Sequence, residues 1–197
     1  MTSKKIVGIT GGIGSGKTFV CHILESMGYP VFYSDKEAKA ILMNDSNVKQ
    51  QIIDLFGGES YQNNGNLNRD FLASKIFSDK KLLSKMNSIV HPAVRQYFKI
   101  WTEKQKSKIV FNEAAIIFEI GIAKNYDDVI LVTASKDTKI KRIQKRDKSS
   151  IQDIEKRMNN QWTDEQKKKL TEFVIDNDKN VMLLPQIDSI LNKIIED

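Results

Sequence analysis

The chain has 197 residues, of which 40% are hydrophobic and 28% charged, a balance that favours a globular protein and excludes an intrinsically disordered one. Basic residues outnumber acidic ones by 31 to 25, and this modest excess suits a polyanionic small molecule as well as a nucleic acid. The single cysteine, Cys21, excludes a disulfide framework, and the lack of a signal-like start or of an apolar run near ~20 residues predicts a cytoplasmic protein.

The first predicted element is a strand in the β-branched run Lys5–Thr10. It leads into GITGGIGSGKT, in which Gly11 to Thr18 fit the pattern G-x-x-x-x-G-K-[ST] of a phosphate-binding P-loop. Helical apolar spacing follows from Lys17 to Met27, and Gly28 with Pro30 is a helix stop signal. Since the pattern lies between a strand and an amphipathic helix, it indicates a nucleotide site rather than an ordinary glycine-rich turn.

Each position of this loop has a predicted role. Glycines let backbone N–H groups surround phosphate oxygens, and the start of the helix adds the positive end of its dipole. Lys17 is expected to reach the β- and γ-phosphates of ATP, and the Thr18 hydroxyl to bind Mg²⁺. The predicted nucleotide-binding residues here are Gly11, Gly12, Ile13, Gly14, Ser15, Gly16, Lys17 and Thr18.

A second apolar run, Pro30–Ser34, predicts a strand, and a helical pattern extends from Asp35 to Met43. Since parallel strands end at one rim of a sheet, Asp35 is expected on the same rim as Lys17. A carboxylate there can accept the proton of an attacking hydroxyl, or bind Mg²⁺ through water. Asp35 also suits a helix N-cap, and the two roles are compatible.

More than sixty residues, mostly helical in pattern, separate this run from the next predicted strand. They include a polar loop, Gly57–Asn68, and are too long for a simple crossover. Residues of about 44–105 are therefore predicted to form an inserted helical subdomain. His91 and Arg95 belong to it, and the pattern alone favours His91 as a residue near the start of a helix that continues into Val94.

Two strong strand predictions follow, Lys108–Asn112 and Asp128–Thr133. Glu113 comes directly after the first, where an acidic residue can lie near a metal, although position alone favours a solvated strand end. Glu119 follows three apolar residues and is expected to start a short helix.

The segment Ser135–Ser150 is strongly basic, with seven lysines and arginines against two aspartates. Arg142 and Arg146 are four residues apart and share a helical face. A solvated basic helix is the usual reading of such a run, a lid over transferred phosphate is the second, and nucleic-acid binding is the third. The last is disfavoured because no aromatic side chains are interleaved for stacking.

Strands separated by helices, with a weaker strand at Phe173–Asp176, predict an α/β fold. We expect a P-loop NTPase-type parallel sheet with helices on both faces, an inserted helical subdomain and a lid. The expected single domain, 1–197, has its core at about 1–43, 106–134 and 172–197, the insertion at 44–105 and the lid at 135–171.

The ordered series of motifs resembles the dephospho-coenzyme A kinase family over nearly everything from Ile6 to about Asn177. Many families share the P-loop, whereas the whole series is much more specific. The matching elements are GITGGIGSGKT, SDKEAKAI with Asp35, HPAVR (His91 to Arg95), IIFEIG (Ile116 to Gly121), the paired arginines Arg142 and Arg146, Arg157 with Gln161 in KRMNNQW, and VIDND (Val174 to Asp178).

Three positions depart from the family pattern. Tyr33 stands where an acidic residue is frequent, which leaves Asp35 as the only carboxylate at the end of that strand. Ala115 replaces a usual proline, and Lys139 stands where glutamine is common.

The resemblance implies transfer of the γ-phosphate of ATP to the ribose 3′-hydroxyl of dephospho-coenzyme A, with Mg²⁺ as cofactor and neither nucleic acid nor membrane as partner. Lys17, Asp35, Arg142 and Arg146 are then catalytic, with Asp35 as the base. The implied acceptor contacts are Asp35, His91, Arg95 and Glu113, and Asn177 lies near the nucleotide base.

Two alternatives remain from the residues alone. One is another small-molecule or nucleoside-phosphate kinase, which differs only in its acceptor. The other is a P-loop switch or nucleic-acid-linked ATPase; no guanine-specific Asn-Lys-x-Asp-like motif appears, and nucleic-acid binding would depend strongly on salt. The oligomeric state is left open.

Overall fold

The computed structural model describes residues 4–196, apart from the side chains of residues 77, 78 and 80. Five strands of this part of the chain form one sheet. They are β1 (Lys5–Thr10), β2 (Val31–Tyr33), β3 (Ile109–Glu113), β4 (Asp128–Thr133) and β5 (Phe173–Asp176).

The strand order is β2-β3-β1-β4-β5. β1 pairs in parallel with β3 and with β4, and β4 pairs in parallel with β5. The predicted parallel α/β sheet is therefore confirmed. Because the strands run in the same direction, the residues that follow β1, β3, β4 and β5 meet at one edge of the sheet.

Helices connect the strands of the described chain. They are α1 (Lys17–Ser26), α2 (Ser34–Asn44), α3 (Ser46–Phe56), α4 (Arg69–Ser78), α5 (Lys80–Lys104), α6 (Lys136–Asp147), α7 (Ile151–Asn159), α8 (Asp164–Lys168) and α9 (Leu183–Glu196), with 3₁₀ turns at Gly58–Ser60 and Ala123–Asn125. Among the described residues, no helix has both the length and the apolar character needed to span a membrane.

The described chain divides into two units, which we call the sheet unit, residues 4–32 and 105–196, and the helical unit, residues 33–104. Buried β-branched and aromatic residues of the strands form the core of the sheet unit, and Val7, Ile9, Val110 and Phe111 are fully inaccessible. Burial on both faces explains why these strands read as nearly continuous apolar runs.

The helical unit has its own core. Buried Ile41, Val48, Ile52, Leu72 and Val90 bring together side chains of α2, α3, α4 and α5. In α3 and α5 the apolar positions lie on one stripe, as expected for helices that bury a single face.

Candidate active site

The P-loop begins where β1 ends, and its backbone fits only glycine at Gly16. This residue has a φ of 92° and forms the N-cap of α1. A Cβ atom at this position would lie 2.1 Å from the side-chain nitrogen of Asn177. The left-handed backbone and the close approach both exclude a larger residue, so this glycine serves the shape of the loop.

The Lys17 ammonium is held along the loop by two oxygens. Its Nζ donates to the Gly11 carbonyl at 2.9 Å and lies 3.9 Å from a carboxylate oxygen of Glu113. Glu113 is the last residue of β3 and is only 7% exposed, so its interpretation as a solvated strand end was wrong. A buried carboxylate beside the P-loop lysine fixes the cation at the carboxyl edge of the sheet.

Arg142 and Asn177 both bind the backbone of the loop at Ser15. The Arg142 guanidinium donates to the Ser15 carbonyl at 3.1 Å and to the Asn177 carbonyl at 2.8 Å. The buried Asn177 side chain donates to the same Ser15 carbonyl at 2.8 Å. These contacts tie α6 and the residue after β5 to the loop, so the two predicted ligand contacts also hold its backbone.

Arg146 has different partners, although it shares α6 with Arg142. It makes a two-pronged pair with Asp147, with bonds of 2.6 and 3.0 Å, and Asp147 also accepts from Arg157 at 2.8 Å. These guanidinium groups hold the pKa of Asp147 well below its usual range, and the bond to Asp147 raises the pKa of Arg146. All three side chains are at the surface.

The segment after α7 lies against the first half of the P-loop. The Gln161 side-chain oxygen accepts from the Ile13 backbone N–H at 2.8 Å. Lys139 and Asp164 form an ion pair of 2.5 Å beside Gly12. Gly12, Ile13, Lys139, Gln161 and Asp164 belong to the lining of one cavity of about 990 Å³.

Two oxygen groups near the loop fit Mg²⁺, a cation that prefers oxygen ligands and usually keeps several waters. Thr18 is exposed at the second position of α1, and Glu113 supplies a carboxylate next to Lys17. In the part of the chain that the structure describes, no cluster of three or more His, Cys, Asp or Glu side chains forms a ready metal cage. The donors therefore suit a Mg²⁺ that phosphates and waters also hold.

In the helical unit, Asp35 is exposed in the first turn of α2. The N-cap of this helix is Tyr33, without a side-chain cap bond, so the N-cap interpretation of Asp35 was wrong. The cause is that Ser34 already begins the helix, which places Asp35 second. A carboxylate there remains favourable because it faces the positive end of the helix dipole.

His91 and Arg95 lie inside the long helix α5, one turn apart. The pattern predicted a helix start near His91, which was wrong, because α5 continues through Pro92. His91 is half-buried, and burial, followed by the positive charge of Arg95, lowers its pKa below the usual value. Arg95 is exposed.

Glu119 was expected to start a short helix but lies in a turn, where it pairs with a lysine that the sequence did not single out. Lys167 is fully buried, and its Nζ lies 2.7 Å from Glu119. Glu119 also accepts from the Trp162 backbone N–H at 3.2 Å. This buried ion pair ties the segment after β3 to α8.

Comparisons with known proteins identify the family of this chain. A family model described as Dephospho-CoA kinase matches residues 5–182. Proteins named Dephospho-CoA kinase from Bacteroides fragilis (strain YCH46) and Fusobacterium nucleatum are 39% and 36% identical over 182 and 176 residues. These matches cover 92% and 89% of this chain, and 88% and 91% of the two relatives.

Two solved structures have a similar fold. A crystal structure of a Thermus thermophilus protein has a TM-score of 0.84 and 29% identity, and the match covers 98% of this chain and 97% of that one. A dephospho-CoA kinase from Campylobacter jejuni has a TM-score of 0.67 and 25% identity, with 96% of each chain covered.

Proposed function

The chain belongs to the dephospho-CoA kinase family, and we propose that it transfers the γ-phosphate of ATP to the ribose 3′-hydroxyl of dephospho-coenzyme A. The products are ADP and coenzyme A. The observation that carries this proposal is the family match over residues 5–182, which includes the P-loop with its fixed lysine.

Phosphoryl transfer requires mainly positioning and charge compensation from the protein. The backbone N–H groups of residues 12–17 surround the phosphates of ATP, and Lys17 neutralises charge on the β- and γ-phosphates. The position of its ammonium at the loop, bonded to the Gly11 carbonyl and 3.9 Å from Glu113, supports this role.

Mg²⁺ fits this scheme as a cofactor held by the Thr18 hydroxyl and the nucleotide phosphates, with Glu113 nearby. When bound, it neutralises charge that develops on the phosphate oxygens.

The acceptor side of the proposal rests on the helical unit. Asp35 accepts the proton of the ribose 3′-hydroxyl as the oxygen of that hydroxyl forms its bond to the γ-phosphorus. The bond from this phosphorus to the bridging oxygen breaks at the same centre, and ADP leaves with the electron pair.

The other residues bind the substrates. The acceptor is contacted by His91, Arg95 and Glu113, and Asn177 lies near the base of ATP. Arg142 and Arg146 neutralise charge on the phosphoryl group in transfer.

The test is to incubate the protein with ATP, Mg²⁺ and dephospho-coenzyme A and to identify the 3′-phosphorylated product by mass spectrometry. A panel of nucleoside phosphates and other small alcohols serves as the acceptor control. Faster phosphorylation of another acceptor would overturn the substrate assignment, and ATP hydrolysis stimulated only by nucleic acid would overturn the kinase assignment. A cytoplasmic location and the lack of nucleic-acid or membrane partners stay predictions.

A further inference from the structure

Lys139 is a buried cation that is paired with an acidic side chain. It lies on α6, is only 6% exposed, and its Nζ donates to a carboxylate oxygen of Asp164 at 2.5 Å. An ammonium group has three N–H donors, and this bond accounts for one of them. Burying a charged pair costs desolvation energy, so such a pair is weak evidence for a purely stabilising role.

The pair is placed against the backbone of the phosphate-binding loop. A Cβ atom built on Gly12 would lie 3.3 Å from the Lys139 Nζ and 3.5 Å from a carboxylate oxygen of Asp164. The glycine therefore leaves the space that the ammonium occupies, and a side chain at this position would crowd the ammonium and touch the Asp164 carboxylate.

Ile13, the next residue of the loop, has a backbone N–H that already binds an acceptor oxygen. The Ile13 N–H donates to the side-chain oxygen of Gln161, which, like Asp164, belongs to the segment between α7 and the end of α8. Backbone N–H groups of a P-loop are the donors that bind phosphate oxygens. An ammonium and a loop N–H thus converge at the edge of one cavity, and side-chain oxygens of a single segment accept from both.

We propose that Lys139 is a second phosphate-binding cation of this P-loop, and that Asp164 holds its ammonium over Gly12 and competes with the bound phosphate for it. The ligand is the β- or γ-phosphate of a nucleoside triphosphate. This inference rests on the proposed use of ATP as donor, but it does not depend on the identity of the acceptor.

The directions in which two substitutions change the affinity for ATP separate this role from a purely structural one. Lys139→Gln removes the charge while it can still donate to Asp164, and Asp164→Asn removes the competing charge while it can still accept from Lys139. If the pair only clamps α8 to α6, both changes loosen the same contact and act in the same direction. If Lys139 binds phosphate, the first weakens binding of ATP and the second strengthens it.

The experiment is calorimetric titration of the full chain with ATP and Mg²⁺ without acceptor, with AMP affinity measured by competition. We expect Lys139→Gln to raise the Kd for ATP about tenfold or more, as for loss of a charge-assisted hydrogen bond, and the Kd for AMP by less than about twofold. Asp164→Asn is expected to lower the Kd for ATP about threefold. Lys141→Gln is the matched control, because it removes the same charge from an exposed position of α6.

An unchanged Kd for ATP in Lys139→Gln, or weaker binding in both variants, would overturn the proposal. Thermal melts identify a variant that does not fold. If Lys139→Gln does not, Asp164→Asn carries the test alone, because the clamp and the phosphate site still predict opposite signs. The titration contains no acceptor and so does not depend on the acceptor's identity. Failure to form coenzyme A in the separate product assay would count against the proposed function and leave this inference standing.

Discussion

The sheet unit and the helical unit fix their predicted functional residues in different ways. In the sheet unit, Lys17, Arg142 and Asn177 are each bonded to the P-loop backbone, so their positions follow from the loop itself. In the helical unit, Asp35 and Arg95 are exposed on separate helices. The residues assigned to the nucleotide are therefore held by the loop backbone, whereas Asp35 and Arg95, assigned to the acceptor, are carried on helix surfaces.

This difference predicts that Arg142, which is bonded to the loop, affects both stability and the reaction, and that the exposed Asp35 affects mainly the reaction. Four predictions test the comparison, from the largest expected effect to the smallest.

Lys17→Ala should lower turnover to the background of the assay, a loss of at least about 10³-fold, because the cation that compensates phosphate charge is gone. The fold should survive, since the lysine lies at the loop and not in the apolar core. Product formation gives the rate, and a thermal melt gives the fold. Turnover close to that of the parent in a folded Lys17→Ala protein would contradict the assignment of the loop.

Asp35→Asn should lower turnover by roughly 10²–10⁴-fold, which is the usual contribution of a positioned general base. Its free energy of unfolding should fall by less than about 1 kcal/mol, from the lost charge at the helix N-terminus, because the side chain is exposed and makes no cap bond. Single-turnover rates and thermal melts on the same preparation measure both quantities.

The matched control is Glu37→Gln, which removes the same charge from the same first turn of α2. Equal losses in the two variants would show that the charge near the helix end matters and that Asp35 has no special role. An active Asp35→Asn enzyme would move the base elsewhere, with Glu113 as the next candidate.

Arg142→Ala and Arg146→Ala should each lower kcat by roughly 10²-fold, more than they raise the KM for ATP, if their charges act mainly in the transition state. Arg142→Ala should also lower the melting temperature, because it removes bonds to the Ser15 and Asn177 carbonyls. Arg146→Ala loses only a surface pair with Asp147. Lys145→Ala, on the exposed part of the same helix, is the control. Losses confined to KM would make both arginines ground-state binders.

How much of the fold and of the candidate site could be predicted from the sequence depends on how far apart the interacting residues lie along the chain. β1, β4 and β5 have the predicted bounds, because β-branched runs bordered by polar residues specify a strand locally. The P-loop was equally readable, since its spacing is itself the structural requirement.

Pairs of distant residues could not be predicted. Lys167 stands in a run of three lysines, which predicts a solvated surface, yet it is fully buried against Glu119. Lys139 and Asp164 are 25 residues apart, and neither lies in a pattern that names its partner. Such pairs arise from tertiary packing, and only a departure from a familiar pattern pointed to Lys139.

The course of α5 shows the same limit. A proline after His91 favours a helix start, because proline fits the first turn of a helix and disrupts its interior. The helix nevertheless continues, and Val90, directly before His91, is buried in the core of the helical unit. Packing of an apolar face outweighs a local preference of a few kcal/mol.

The smallest effect concerns His91 of the helical unit, and it tests whether folding changes the pKa of this side chain. Burial and the charge of Arg95 lower the pKa of His91 in the folded protein, so the unfolded chain takes up the proton first as the pH falls. The free energy of unfolding should therefore decrease as the pH drops below about 6.5, the ordinary pKa of histidine, and level off below the pKa of the folded state.

Urea denaturation between pH 5 and 8 measures this dependence. Subtracting the profile of His91→Gln from that of the parent removes the contribution of other groups. Arg95→Gln should keep most of the dependence, because burial is the larger cause of the shift and Arg95 the smaller. A parent and a His91→Gln variant with parallel pH profiles would show that the histidine titrates alike in both states. A profile that Arg95→Gln flattens completely would make the charge of its neighbour, rather than burial in α5, the dominant cause.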